Sequence, residues 1–316
     1  IDGQHYIWPW NNSNNGMGST LLLNTALFEE AGVEVPALPD RAWTIDEFLA
    51  AAEKLTMDRD GDGTTDVYAI TFAARDTENM LSWLMRFGAK LMNDEGTEFV
   101  LNSEEGVRAL QFIVDLIYEY GYAPTGGEAL DVYGTIENLH NGRAAIGYGG
   151  IYEIGRIDRY LKEGRMPEAI DVVIAPFPHD PAVGPIAYET SGGFLVFKQD
   201  DDYKRDMAME FARFLTSTEN IKLLESLLYI TARRSANAEL DFVNVADYTE
   251  DVQTEVQVYQ SAIDHGVPFF GPSDLDISEG MEYFTAAMEA ALSRSKTPQQ
   301  ALDEFVREAN RAVFGN

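Results

Sequence analysis

The chain has 316 residues and sets 23 Lys and Arg against 53 Asp and Glu, a formal charge of −30. A polyanion is held mainly by Lys and Arg neutralising its phosphates, so this balance excludes nucleic acid as a partner. With 45% hydrophobic residues the chain can bury real cores, and with no Cys it has no disulfide, Cys-based zinc site or Cys nucleophile.

The length exceeds the range over which a single core keeps growing, which predicts two lobes. No apolar run nears the ~18 residues needed to span a bilayer, so a soluble chain is expected. In chain order, Ser19 to Leu23 reads as a strand. Thr44-Ile45-Asp46-Glu47 is a capping box, and Ile45, Phe48, Leu49, Ala52 and Leu55 follow at helical spacing. Val67 to Phe72 is a second strand. Ser103 caps a helix with Val107, Leu110, Val114 and Ile117 on one stripe and Gly121 as its stop. Ala144 to Gly147 and Asp171 to Ala175 are further strands. Pro176-Phe177-Pro178-His179-Asp180-Pro181, with Gly184-Pro185 behind it, is too Pro-rich for regular structure and reads as a crossing between lobes. Beyond it lie a strand at Gly193 to Phe197, a helix carrying Met207, Phe211, Phe214 and Leu215, and a helix from about Ser278 through Met281, Phe284, Met288 and Leu292. The last helix opens on Thr297-Pro298-Gln299-Gln300, with Leu302, Phe305, Val306, Ala309 and Val313 on its apolar face. Strands of four to six residues alternating with long helices indicate an α/β protein.

The usual catalytic signatures are missing: no nucleophile elbow, P-loop, zinc-protease motif or dinucleotide fingerprint is present. His5, His140, His179 and His265 are isolated from one another and read as surface or loop residues. Among 53 acidic residues a glycosidase-like carboxylate pair can always be imagined, so a secreted glycoside-acting enzyme stands as the alternative function. The sharpest local motif runs from Asp58 to Asp66. Asp58, Asp60 and Asp62 occupy positions 1, 3 and 5 of an EF-hand-type loop, Gly63 position 6, the Thr64 carbonyl position 7 and Asp66 position 9. Position 12 is Ala69 instead of Glu, so the options are a weak structural calcium site or an acidic turn. Aromatic and small polar residues also gather at expected strand ends and loops: Trp8, Trp10, Asn11, Asn12, Trp83, Tyr148, Tyr152, Tyr188, Ser191, Gly192 and Gly193. Flat rings beside amides and hydroxyls suit a sugar, whose C–H faces stack while its hydroxyls take hydrogen bonds.

Several stretches together carry a family resemblance. They are Asp2-Gly3-Gln4-His5-Tyr6-Ile7-Trp8-Pro9-Trp10, Gly18 to Gly32, Trp43 to Phe48, Asn141-Gly142-Arg143-Ala144-Ala145-Ile146 running into Gly149, Ser191 to Val196, and Ala208 to Leu215 followed by Thr216-Ser217-Thr218-Glu219-Asn220. This pattern resembles the extracellular solute-binding proteins of ABC importers, in particular the sugar-binding group that contains maltose-binding protein. The resemblance implies a two-lobe, type II periplasmic-binding-protein fold and an extracytoplasmic carbohydrate receptor that needs no cofactor and works by hinge closure. It also implies membrane subunits of an ABC transporter as partners and a monomeric protein. Members of the family carry roughly a hundred residues ahead of the Asp2-Gly3 segment. One lobe is therefore expected to be incomplete, with a lipid anchor on the preceding segment. On this reading residues 11–180 plus 251–316 form one lobe and residues 1–10 plus 186–241 a remnant of the other. Crossings then fall near 8–12, 180–190 and 241–251, and the remnant is left with open strand edges and apolar faces.

Overall fold

The computed structural model describes residues 8–12, 20–36, 42–166, 170–189, 191–221, 231–237, 266–268 and 276–315. In chain order its elements begin β1 (Trp8–Asn12), β2 (Thr20–Asn24), α1 (Thr25–Ala31), α2 (Ile45–Leu55), β3 (Tyr68–Ile70), α3 (Thr77–Met85), α4 (Glu104–Tyr118) and α5 (Val132–His140). They continue with β4 (Ala144–Tyr148), α6 (Ile151–Lys162), β5 (Val172–Pro176), β6 (Ala187–Glu189), β7 (Ser191–Phe194) and α7 (Asp202–Leu215). Last come α8 (Thr218–Ile221), α9 (Arg234–Asn237), β8 (Gly266–Pro268), α10 (Ser278–Leu292) and α11 (Pro298–Phe314).

A four-stranded sheet of order β3-β4-β2-β5 organises the main core. β2 lies inside it, antiparallel to both β4 and β5, while β3 and β4 run parallel. A strand with neighbours on both sides and helices over the sheet is buried along its length. β2 is apolar at Leu21, Leu22 and Leu23, and its buried ends Thr20 and Asn24 spend their side chains on the Gly149 carbonyl and the Leu27 N–H. One continuous cluster draws its residues from Leu21 to Phe177 and from Phe284 to Ala309. The helices form where their caps predict. Thr44 Oγ1 accepts from the Glu47 N–H at 3.3 Å, and Glu47 Oε2 accepts from the Thr44 N–H at 3.0 Å. Thr297 and Gln300 repeat that exchange at the start of α11. α10 and α11 pack on each other and on α4, closing the core with Phe284, Met288, Leu302 and Phe305.

Several expectations change in the structure. β3 stops at Ile70 because its partner register on β4 ends at Ile146, and residues 71–75 leave the ladder while Thr71 to Ala74 stay buried. β7 is Ser191–Phe194, shorter and earlier than expected, its pairing with β1 running from Ser191 opposite Asn12 to Phe194 opposite Trp8 among the described residues. α7 forms, but its apolar stripe faces outward: Phe211 and Phe214 are each 61% exposed, beside Phe197 at 75%, and Ala212 is its buried residue. His140 and His179 are buried, not surface residues. α1, α3, α5 and α6 were not anticipated, although Asn24, Asp76 and Asp131 cap the first three. Ser19 and residues 241–251 fall outside the described residues.

Trp83 is fully buried, with Phe48, Phe72, Phe112 and Phe177 at centroid distances of 5.3, 5.8, 6.0 and 5.5 Å. Trp83→Ala therefore leaves a large void and should destabilise the chain by about 3–5 kcal/mol, read as a lowered urea midpoint at unchanged slope.

Candidate functional site

In open α/β sheets ligands lie beyond the carboxyl ends of the parallel strands. Here those are the ends of β3 and β4. From β3 the chain runs through residues 71–75 to Asp76, the N-cap of α3, which accepts from the Asn79 N–H at 3.3 Å and from Asn79 Nδ2 at 2.7 Å. Asp76 is buried, and burial pushes its carboxyl above the usual range, partly opposed by the Asn79 hydrogen bonds and reinforced by Asp131. Burial, together with the Asp76 charge, also raises Glu78. Asp131 arrives because the 127–131 segment pairs with this loop: the Ala74 N–H donates to the Gly127 carbonyl at 2.9 Å and the Arg75 N–H to the Leu130 carbonyl at 3.3 Å. Only glycine allows that approach, since a Cβ at position 127 would stand 2.5 Å from the Phe72 carbonyl oxygen.

At the end of β4, Tyr148 is buried and its hydroxyl accepts from the Trp83 indole N–H at 3.0 Å. Burial holds the phenol well above its ordinary value, and nearby Asp76 adds to this. The next turn is bound to β2, with Thr20 Oγ1 donating to the Gly149 carbonyl at 2.7 Å. Gly149 has φ +152, and a Cβ there would stand 2.5 Å from Glu153 Cγ. Gly150 then caps α6 without a side chain, and the amides of a helix's first turn have no partner within the helix. Donors from α6 and acceptors from Asp76 and Glu78 thus belong to one end of the sheet.

The second constellation is the antiparallel ribbon of β1 and β7. It sets Trp8 opposite Phe194, Pro9 opposite Gly193, Asn11 opposite Gly192 and Asn12 opposite Ser191, with an irregularity between Pro9 and Asn11. The Trp10 ring lies 6.5 Å from that of Phe194, and the Trp10 carbonyl accepts from the Ala232 N–H at 3.1 Å. The Trp8 indole N–H donates to Thr216 Oγ1, whose carbonyl receives Arg233, and the Arg213 guanidinium lies 5.9 Å from the Trp8 ring. The ribbon is therefore fastened to the end of α7. Eight residue steps lead from Asn12 to Thr20, a tether of at most about 29 Å to the site end of β2.

The structure thus unites Trp8, Trp10, Asn11, Asn12, Ser191, Gly192 and Gly193 on one ribbon and puts Tyr152 in the first turn of α6. Tyr188 lies on β6, opposite Val267 of the parallel strand β8. Two expectations are corrected. Trp83 and Tyr148 are core residues whose rings are closed off by Phe177 and its neighbours, so they back the site instead of stacking on a ligand. Sequence reasoning missed Asp76 and Glu78. The readable signal was an Asp three residues before Asn79, directly after a strand, which marks a helix start at a strand's carboxyl end.

In the Asp-rich loop, carboxylate oxygens of Asp58, Asp60 and Asp66 lie within 4.8 Å of one another. Asp62 is not in that group; its carboxylate accepts from the Thr64 N–H at 2.7 Å. Asp58 accepts from the Gly61 and Gly63 N–H groups, each at 2.8 Å, and Ala69 is buried on β3, unable to fill the twelfth position. Elsewhere, a groove of about 330 Å³ bordered by Asp115, Tyr118, Arg294 and Lys296 lies among α4, α10 and α11. It shares no residue with the site.

The model of the bacterial extracellular solute-binding protein family matches residues 1–256. The chain belongs to that family. Among curated solute-binding relatives, the arabinooligosaccharide-binding protein of Bacillus subtilis (strain 168) is 23% identical over 300 residues, which are 92% of this chain. The chain spans 65% of that relative's length. Among solved structures of the same fold, maltose-bound MalE3 of T. maritima superposes with a TM-score of 0.73 at 22% identity, over 99% of this chain and 74% of the other. The ABC substrate-binding protein Lmo0181 from Listeria monocytogenes, in complex with cycloalternan, gives 0.74 at 22% identity over 99% and 72%. The fold is therefore that of the type II binding proteins, as the sequence resemblance implied. Among the described residues no helix is long and apolar enough to cross a membrane.

Asp76 separates structural from functional roles in this solute-binding chain. Asn caps a helix about as well as Asp and removes repulsion with Glu78, so Asp76→Asn should stay within about 0.5 kcal/mol of wild type in urea unfolding at pH 8. Asp76→Ala loses the cap and should cost about 1 kcal/mol.

Proposed function

We propose that the protein carrying this chain is an extracytoplasmic receptor that captures a neutral oligosaccharide and delivers it to the membrane subunits of an ABC importer. The observation that carries the reading is the pairing of β1 with β7, which gathers seven of the expected ligand residues beside a chain tether to the acidic sheet end. In the proposed complex Trp10 and Tyr152 stack on sugar rings. Asn11, Asn12, Ser191 and the Gly192 and Gly193 backbone exchange hydrogen bonds with hydroxyls, Asp76 and Glu78 accept from hydroxyls, and Tyr188 borders the site. Trp8, whose N–H is spent on Thr216, supports the ribbon. The solved neighbours named above hold maltose and cycloalternan, which supports a carbohydrate as the ligand class. The family is one of binding proteins, and that sets aside the glycoside-acting enzyme.

The lobes we assign are residues 11–180 plus 251–316, and 1–10 plus 186–241, with crossings near 8–12, 180–190 and 241–251. Capture then proceeds by hinge closure: the ligand binds the closed arrangement better and shifts the population toward it. No cofactor is needed, and the receptor acts as a monomer held at the outer membrane face by a lipid anchor.

Calorimetric titration with maltotriose and linear arabino-oligosaccharides tests the reading. Trp10→Ala should weaken the sugar that binds by about 1–3 kcal/mol, the scale of one large apolar side chain. Unchanged affinity with a large loss of fold stability would make Trp10 a core residue.

For the Asp-rich loop we propose a weak structural calcium site on Asp58, Asp60 and Asp66, completed by the Thr64 carbonyl and water. Its affinity should lie on the order of 10⁻⁴–10⁻³ M. Millimolar calcium should then raise the melting temperature of wild type but not of Asp60→Ala, and equal responses would refute it.

A further inference from the structure

Glu153 is 0% exposed in the first turn of α6. Its aliphatic stem fills the space that only glycine leaves at position 149, 2.5 Å from where a Cβ would stand. Its carboxylate meets Arg156 in an ion pair at 2.7 Å, while neither oxygen receives a hydrogen bond of regular geometry among the described residues. A buried charge with one counter-ion and no hydrogen bonds is poorly solvated, and uptake of a proton removes that cost. Arg156 and Arg159, both on α6, are the cations whose fields reach it. Just beyond β4, Gly149 is the uncharged neighbour against which the Glu153 stem packs, and Leu22 of β2 flanks the same glycine. On α5, His140 feels the same Arg156, and burial keeps it neutral down to a pKa of about 4.

We propose that Glu153 is a positioning residue for the ligand-facing start of α6, protonated while the Gly149–Gly150 turn is closed over it and ionised when that turn opens to water. The inference rests on the reading that this helix start faces the sugar. Burial pushes the carboxyl up to about 7 against the pull of Arg156 and Arg159, whereas a glutamate in water titrates at about 4.3. Between those values the closed form binds more protons than the open one. Raising the pH through that window therefore favours opening, by up to about tenfold in the opening constant per pH unit. Above about 7 both forms are ionised and the effect levels off. The first turn of α6 moves with the Gly149–Gly150 turn, so the sugar is gripped more firmly at pH 5–6 than at pH 8.

Amide hydrogen exchange of segment 149–156, measured without ligand from pH 5 to 8 and corrected for intrinsic rates, tests this. In wild type the opening constant should rise at least tenfold between pH 5 and 7 and then flatten. Glu153→Gln, uncharged at every pH, should be flat. Arg156→Gln removes the main counter-charge and should move the upper end of the window to higher pH. Equal slopes in wild type and Glu153→Gln overturn the proposal. Should Glu153→Gln fail to fold, an unmoved window in Arg156→Gln overturns it equally. Because no sugar is present, a protein that shows this pH dependence yet binds no oligosaccharide contradicts the carbohydrate reading and leaves the role of Glu153 standing.

Discussion

A buried indole must find an acceptor for its N–H, and at Trp83 that requirement ties the chain together. The ring lies among Phe48, Phe72, Phe112 and Phe177, where no water can serve it, so Tyr148 at the end of β4 supplies the oxygen. One hydrogen bond thereby sets α3 against β4. Phe177 closes the same cluster from the chain beyond β5, with the buried Arg86 guanidinium 4.6 Å from its ring. The start of α3 and the turn into α6 follow from that junction, so Asp76, Glu78 and the first turn of α6 stand on a packed base.

That base explains why unfavourable charges are tolerated above it. Asp76 and Glu78 both lose hydration, which raises both carboxyls, with Asp131 adding to the rise at Asp76 and Asp76 to the rise at Glu78. Such an arrangement costs stability and recurs where a ligand is to be met. In the proposed complex a sugar hydroxyl donates to each carboxylate, and the first turn of α6 offers donors in return. There the ribbon of β1 and β7, fastened through Thr216 to α7, brings two indoles and small polar residues to the other side of the sugar. α7 itself keeps Phe211 and Phe214 on an exposed face.

Much of the fold was legible where cap and period agreed. The capping boxes at Thr44 and Thr297 and the stripes after Ser103 and Ser278 all became helices; Thr44, Ser103 and Thr297 each cap a first turn with their own side chain, whereas the Ser278 helix has no capping side chain and rests on its apolar stripe. The short helices α3 and α6 were illegible for the opposite reason. α3 is buried nearly all round, which erases its period, and α6 opens on two glycines with no capping side chain. Trp83 was misread as a ligand residue because sequence shows that a ring is present, not which way it faces. The ribbon residues were read as a group from composition and resemblance, yet their union depends on a pairing across about 180 residues that no local pattern encodes. Asp62 fits the ligand spacing, but its carboxylate lies outside the cluster that Asp58, Asp60 and Asp66 form.

The central claim is that one sugar bridges the acidic sheet end and the ribbon. The most direct measurement is a crystal structure of the protein with the oligosaccharide that binds it most tightly. The account predicts a sugar in contact with Asp76 or Glu78 and the first turn of α6 on one side, and with Trp10 and the β1–β7 strands on the other. A sugar lodged instead in the groove among α4, α10 and α11, or touching only one of the two surfaces, would contradict it.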